Sequence, residues 1–448
     1  MRILIDCAHI DFSRQPTGIP RVVLKYIEEG YRWSEKSGVQ VIPVVARPAG
    51  LALVHPLPGR NPPQYLESMV PARVSLNSAR EAIERHIDQA AFHLQAALQQ
   101  ACHEPRPADC LLAARHAADR LIERAMMGGS RFIAVEPGDI LFCPAYWHDV
   151  PPATYQGIKA QGARIVVLVH DILPITFSKF YKAPWKYDFE KNLASAIKYS
   201  DELYAVSRYT ANSVSEFAAR NGLGDIDVGV SHNGYDELLG GKLKQDVDDP
   251  GYRPLVVQRR EYEFLRENEP FLMVGTLEPK KGHIPTVRSF EAMWDAGLKR
   301  PLVVIGRKGW MEESVVEAIE QSRYFMDRLF WFDNFDDFDL YFAYRHSRGL
   351  IFSSYAEGFG IPMIEALSAG CPVVSLRTQI AMEVVGRHGR FFETFKQLAE
   401  HVSMLDSAEG IITAKKEIEH FSWPTWKEIT ASLFDKLTNA DRIKENDD

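Results

Sequence analysis

Short, uninterrupted apolar runs rich in Val, Ile and Leu return along this 448-residue sequence at intervals filled by helical patterns. The first series is RILID at 2–6, VQVIPVV at 39–45, DILFCP at 139–144, RIVVLVHD at 164–171 and ELYAVS at 202–207. A second series follows: PFLMVGT at 270–276, PLVVIG at 301–306, RLFWFD at 328–333, GLIFSS at 349–354 and CPVVSL at 371–376. A strand covered by helices on both faces needs no polar alternation, so these runs predict parallel sheets. Two series predict an α/β chain of two Rossmann-like, doubly wound domains.

The break between them is the acidic, Pro- and Gly-bearing segment KQDVDDPGYRP at 244–254. It divides a first domain, 1–250, from a second, 251–425. The segment FSWPTWKEITASLFDKL reads as an amphipathic helix announced by proline, and the tail to residue 448 as frayed. One stretch breaks the alternation. Ile83, Ile87, Ala90, Leu94, Ala97 and Ala101, then Leu111, Ala114, Ala118, Leu121 and Ala125, recur at spacings of three and four. That pattern predicts a helical hairpin inserted at about 76–130. Either it packs on its own domain, or it serves as a contact with a protein partner, a membrane surface or an acceptor.

A formal charge of −8 argues against a nucleic-acid partner while leaving room for a local basic pocket. Cys7, Cys102, Cys110, Cys143 and Cys371 form no Cys-x-x-Cys pair, which predicts small buried residues rather than a zinc site or a disulfide framework. The opening MRILIDC has no signal-peptide layout, and no apolar stretch has the length of a bilayer span. The expected location is cytoplasmic.

Chemistry concentrates in SSYAEGFGIPMIEALSAGCPVV, residues 353–374. A buried strand, GLIFSS, leads into a glycine turn, and Pro362 stands where a helix begins and needs no amide of its own. Gly370 is a natural end for that helix. Ligands of open parallel sheets gather at the carboxyl ends of strands. There, helix-start amides approached through glycines seat phosphate oxygens. Glu357 and Glu365, with seven residues between them, can take hydroxyls on either side of such a phosphate. A nucleotide diphosphate sugar presents that order of groups: sugar hydroxyls, pyrophosphate, ribose diol. In MVGTLEPKKGH, 273–283, a second strand ends in glycine and then offers two lysines. A lysine there can neutralise charge developing on a departing diphosphate.

The stretch EGFGIPMIEALSAGCPVV resembles the signature of the retaining GT-B glycosyltransferases of the GT4 family. The likeness is strong over about 270–430, looser over 1–240, and does not cover the helical insertion. It implies that Glu357 contacts the donor sugar and Glu365 the ribose, with the amides of Phe359, Gly360 and Ile361 at the pyrophosphate. Lys281 matches the family's lysine before glycine and Lys280 its second cation, with Gly275 the turn that precedes them. Many relatives carry arginine where this chain has Thr276, so the clamp is arranged differently here. By the same resemblance His170, at the end of VLVHD, contacts the donor sugar. Asp171 either meets the acceptor or caps the turn that follows. Thr17-Gly18, in RQPTGIPRV, replaces the family's glycine pair, with Gly18 a close approach to the donor or acceptor, and Arg21 beside it is an acceptor or phosphate contact. Ser207 and Arg208, in AVSRYTANS, resemble a loop beside the donor phosphates. The loops VIGRKGWM and FDNF are placed like those that hold the base and ribose.

Asp337-Phe338-Asp339 satisfies an Asp-x-Asp metal string, but Leu340, Phe342 and Tyr344 place it at a helix start, where aspartates cap. No metal and no cofactor are expected. The resemblance implies a cytoplasmic enzyme, peripheral at the inner membrane in one version, in which the C-terminal helix, 426–448, returns to the first domain. It would move a hexose with retention from a nucleotide diphosphate sugar, GDP-mannose favoured, to a saccharide or lipid-linked saccharide acceptor of a bacterial surface polysaccharide. The rival expectation is an inactive binding subunit on the same fold.

Overall fold

The computed structural model describes residues 1–8, 10, 18–47, 50–54, 62–69, 132–145, 147–150, 152–181, 183–235, 260–309 and 311–444. The hairpin expected at 76–130, the linker at 244–254, Thr17 and the last four residues of the tail lie outside them. The chain divides into two compact units, Met1–Tyr146 with Val150–Ile165, and Trp147–Asp149 with Val166–Asp448.

The first unit carries β1 (Arg2–Asp6), β2 (Gln40–Arg47), β3 (Gly50–Leu53), β4 (Phe132–Ile133) and β5 (Ile140–Cys143) in the order β4-β3-β2-β1-β5. β1 lies parallel to β2 and to β5, and Ile3 faces Val41 on one side and Ile140 on the other. Ile3, Leu4 and Ile5 are wholly buried, as an unalternating strand must be. The Ile19–Ser37 helix joins β1 to β2, with proline in its first turn and Gly38 in the left-handed region at its end. It buries Val22, Val23, Tyr26, Ile27 and Tyr31, and Tyr26 meets Phe142 edge-on at 5.1 Å.

In the second unit, β6 (Arg164–Val169, its first two residues counted with the first unit), β7 (Glu202–Ala205) and β8 (Val228–Val230) run parallel. The other sheet contains β9 (Phe271–Val274), β10 (Leu302–Ile305), β11 (Leu329–Phe332), β12 (Gly349–Phe352), β13 (Val373–Leu376) and β14 (Gly389–Phe392). Its order is β11-β10-β9-β12-β13-β14, parallel throughout. The chain lays β10 and β11 to one side of β9, then reverses and lays β12 on the other. That reversal is the topological switch point of a doubly wound sheet, outside which ligands bind. Both anchor loops foreseen in the sequence leave from it, one after β9 and one after β12.

Every apolar run named above is a strand. Cys7, Cys143 and Cys371 are free and buried. Asp336 and Asp339 form a capping box at the start of the Asp337–Arg345 helix, and the Tyr262 hydroxyl donates to Asp339. Asp339 of the Asp-x-Asp string is thus engaged in starting a helix. After Pro424, the Thr425 hydroxyl and the Glu428 carboxylate cap the Trp426–Lys444 helix reciprocally. Its buried residues, Trp426, Thr430, Leu433, Phe434 and Leu437, share one face. Ahead of it Trp423 donates its indole N–H to the Asn233 carbonyl at 2.8 Å, and Thr425 pairs with Tyr235 just beyond β8.

Candidate functional site

The loop after β9 turns at Gly275, whose φ of 144° belongs to the region that favours glycine. Pro279–Lys281 forms a short 3-10 turn, and Gly282, left-handed at φ 72°, leads into the His283–Asp295 helix. The loop after β12 is fastened to it. Tyr355 donates its amide to the Lys280 carbonyl at 2.8 Å. The Ser353 hydroxyl lies 3.0 Å from the Lys281 carbonyl and 2.8 Å from the Thr286 hydroxyl. Two loops from neighbouring strands are therefore held in one register.

Across that seam the Lys281 ammonium donates to Glu357 Oε1 at 2.5 Å. Glu357 is 8% exposed. Burial alone would raise its pKa. The charges of Lys281 and Lys280, with hydrogen bonds from Lys281 and Ser354, outweigh burial and hold the carboxyl below its usual range. Lys280 shows the same balance in reverse. Burial disfavours its charge, but Glu357, Asp171, Tyr181 and Glu278 together push its pKa up. Its ammonium sits 3.4 Å from Glu278 and 3.5 Å from the Tyr181 hydroxyl, which burial pushes up in pKa. Glu357 and Lys280 are therefore both held in their charged forms at neutral pH.

Gly360, at φ 93°, starts the Ile361–Ser368 helix, with proline in the first turn and Gly370 left-handed after its end. The amides around Phe359, Gly360 and Ile361 therefore open a helix beside the charged pair. The buried Phe359 ring packs in a partly buried aromatic group, 5.9 Å from His232 and 5.7 Å from Trp423. Glu365, one turn into the helix, accepts from the Tyr344 hydroxyl at 3.3 Å. Gly358 packs against the backbone after β6, where a Cβ would overlap the His170 carbonyl oxygen. His170 is thus at the glycine loop, half-buried, and Asp171 caps the next turn by accepting from the Leu173 amide at 3.0 Å.

Ser207 is wholly buried and donates to the Gly358 carbonyl at 2.8 Å while capping the Arg208–Arg220 helix through Thr210. Its hydroxyl fixes the loop from behind. Arg208 is exposed, and its amide donates to Glu383 at 2.7 Å. Glu383 also accepts from the Tyr209 amide and from His232, and these donors hold its pKa down against burial. The structure so brings His170, Asp171, Gly275, Lys280, Lys281, Glu357, Phe359, Gly360, Ile361, Glu365, Ser207 and Arg208 into one unit. Gly18 and Arg21 lie in the first unit, where Gly18, at φ 62°, opens the Ile19–Ser37 helix. Sequence reasoning passed over Glu383, His232 and Tyr181, which become visible only through partners far along the chain. Glu278 stood inside a quoted motif and was not singled out.

Two doubly wound sheets of this kind, with two anchor loops leaving one switch point, match the GT-B fold. Two crystal structures share the fold. One, Anabaena Alr3699/HepE in complex with UDP, is similar at a TM-score of 0.58 and 15% identity, covering 98% of this chain and 100% of that one. The other, a UDP-forming trehalose-phosphate synthase from Burkholderia xenovorans, reaches 0.54 at 14% identity over 75% of this chain and 79% of that one. Residues 257–410, which hold both anchor loops, match the model of the family Glycosyl transferases group 1.

Among curated relatives, the serotype-specific mannosyltransferase WbdA of Escherichia coli is 28% identical over 302 residues, 62% of this chain and 34% of that protein. The O-antigen chain mannosyltransferase B of Escherichia coli is 28% identical over 163 residues, 34% of this chain and 42% of its own. The matched part of the chain spans about a third of the length of WbdA.

Proposed function

We propose that the protein is a glycosyltransferase that moves a hexosyl group, mannose favoured, from a nucleotide diphosphate sugar to a saccharide acceptor of a bacterial surface polysaccharide. The observation that carries this reading is the Lys281–Glu357 pair, 2.5 Å apart, across the two loops of the β9/β12 switch point. Glu357 is held ionised to accept a sugar hydroxyl, and Lys281 stands ready for charge on the leaving diphosphate. Glu365 takes the ribose diol, and the Gly360 helix start takes phosphate oxygens. His170 supports the sugar from the other side of the glycine loop, while Ser207 acts as a positioning residue. The mannose preference draws on the names of the curated relatives, and the GDP-linked donor on the family resemblance of the sequence.

The site offers cations, amides and hydroxyl-binding carboxylates, with Glu357 tied to Lys281 rather than poised as a nucleophile. Such a site suits a front-face transfer with retention, in which the leaving phosphate takes the acceptor's proton and neither metal nor cofactor is needed. Glu365→Ala should abolish transfer while leaving the fold intact by circular dichroism. NMR of the product should show the donor's anomeric configuration; an inverted product would sink the retaining mechanism.

A further inference from the structure

We propose that Glu278 is a positioning residue that holds Lys280 back, so that its carboxylate competes with the donor diphosphate for one ammonium. The inference rests on the nucleotide-sugar reading above. It begins from Thr276, which stands where many members of the resembled family have arginine. The Thr276 hydroxyl donates to Glu278 Oε1 at 2.7 Å, and Glu278 Oε2 lies 3.4 Å from the Lys280 ammonium. Lys280 is further turned toward the Tyr181 hydroxyl at 3.5 Å, with its ammonium 6.0 Å from the Tyr181 ring centre.

Gly309 makes room for this arrangement. A Cβ there would come within 2.7 Å of Glu278 Cγ and 2.9 Å of Oε1. The carboxylate is therefore seated by packing as well as by its two partners. Glu278, Glu357 and Asp171 all act on Lys280, whereas Lys281 is bonded to Glu357. Three carboxylates against two ammoniums leave this cluster formally at −1 (2 − 3) before any diphosphate arrives. A donor that adds further negative charge is repelled unless it draws an ammonium out of the cluster. Glu278 then sets two things at once: how tightly the nucleotide binds, and how readily it leaves.

Two substitutions in the full-length chain separate this role from a merely structural one, read by calorimetric titration with GDP, UDP and dTDP. Glu278→Gln keeps an oxygen for Thr276 but removes the charge, and should tighten the nucleotide that binds by roughly fivefold. With an acceptor present, the same variant should show lower KM for donor and lower kcat, because the product nucleotide leaves more slowly. Thr276→Val strips the carboxylate of its second partner, concentrates it on Lys280 and should weaken the nucleotide by a similar factor. A residue that only props up the loop would weaken binding in both variants. Unchanged or weaker binding by Glu278→Gln, with wild-type melting temperature, overturns the inference and leaves the transferase reading intact. If the wild-type protein binds none of the three nucleotides, both fall together.

Discussion

Glu357 is a buried carboxylate whose ionisation depends on two neighbours, and that dependence can be measured. Glu357→Gln removes the negative end of the Lys281 pair and the acceptor for a sugar hydroxyl, and should lower kcat by about 10²- to 10³-fold. His283, next to that lysine, gives a test by pH. It is 2% exposed, and burial first, then the Lys281 charge, push its pKa down to about 4 against a bond to the Glu278 carbonyl. Between pH 6.5 and 4 the unfolded chain binds a proton that folded His283 refuses. The stability concerned is complete above 6.5 and lost as pH falls toward 4, by up to about 3 kcal/mol. Glu357, whose folded pKa is also lowered, is affected only below its ordinary value of 4.5. Denaturant melts of wild type at pH 7 and pH 5 should therefore differ, and His283→Gln should remove most of the difference. An equal difference between the two pH values in both proteins would mean that His283 is not buried as a neutral ring.

At the scale of elements, the glycine loop after β12 is held from three directions, by the β9 loop, by the backbone after β6 and by Ser207. Gly358→Ala should force that packing open, costing roughly 1–3 kcal/mol and most of the nucleotide affinity. The Arg208–Arg220 helix depends on a partner from another helix, Glu383 in Gln379–Val385. Glu383→Ala should lower stability by about 1–2 kcal/mol, seen as a shifted urea midpoint with an unchanged slope. The continuous apolar strands could be read directly because burial on both faces writes an unbroken pattern. β3, β4, β8 and β14 could not. Three of them contain glycine, and β3 and β4 pair antiparallel at the sheet edge. Glu357, Lys281 and the proline-started helix were legible because glycine and proline mark their turns. The Glu383 cap was not, since a glutamate 174 residues from the amide it serves leaves no local trace.

At the scale of the whole molecule, the stretch after β8 and the end of the chain hold each other. His232 lies 5.4 Å from Trp423, and a Cβ on Gly234 would overlap the backbone of Trp426. Trp423 also touches Phe359 of the glycine loop. Ending the chain after His420 should therefore lower nucleotide affinity as well as the melting temperature. A truncated protein with full affinity would show that the aromatic group is only a seal. Among the described residues no helix is long and apolar enough to cross a membrane. The central claim is that this charged switch point binds and breaks a nucleotide sugar. Its most direct test is nucleotide release from a panel of GDP-, UDP- and dTDP-sugars, with chelator present and Glu365→Ala alongside. The account predicts slow release from one donor, GDP-mannose favoured, unaffected by chelator and lost in the variant. Neither release nor binding of any nucleotide by the wild-type protein would contradict it and point to a binding subunit instead.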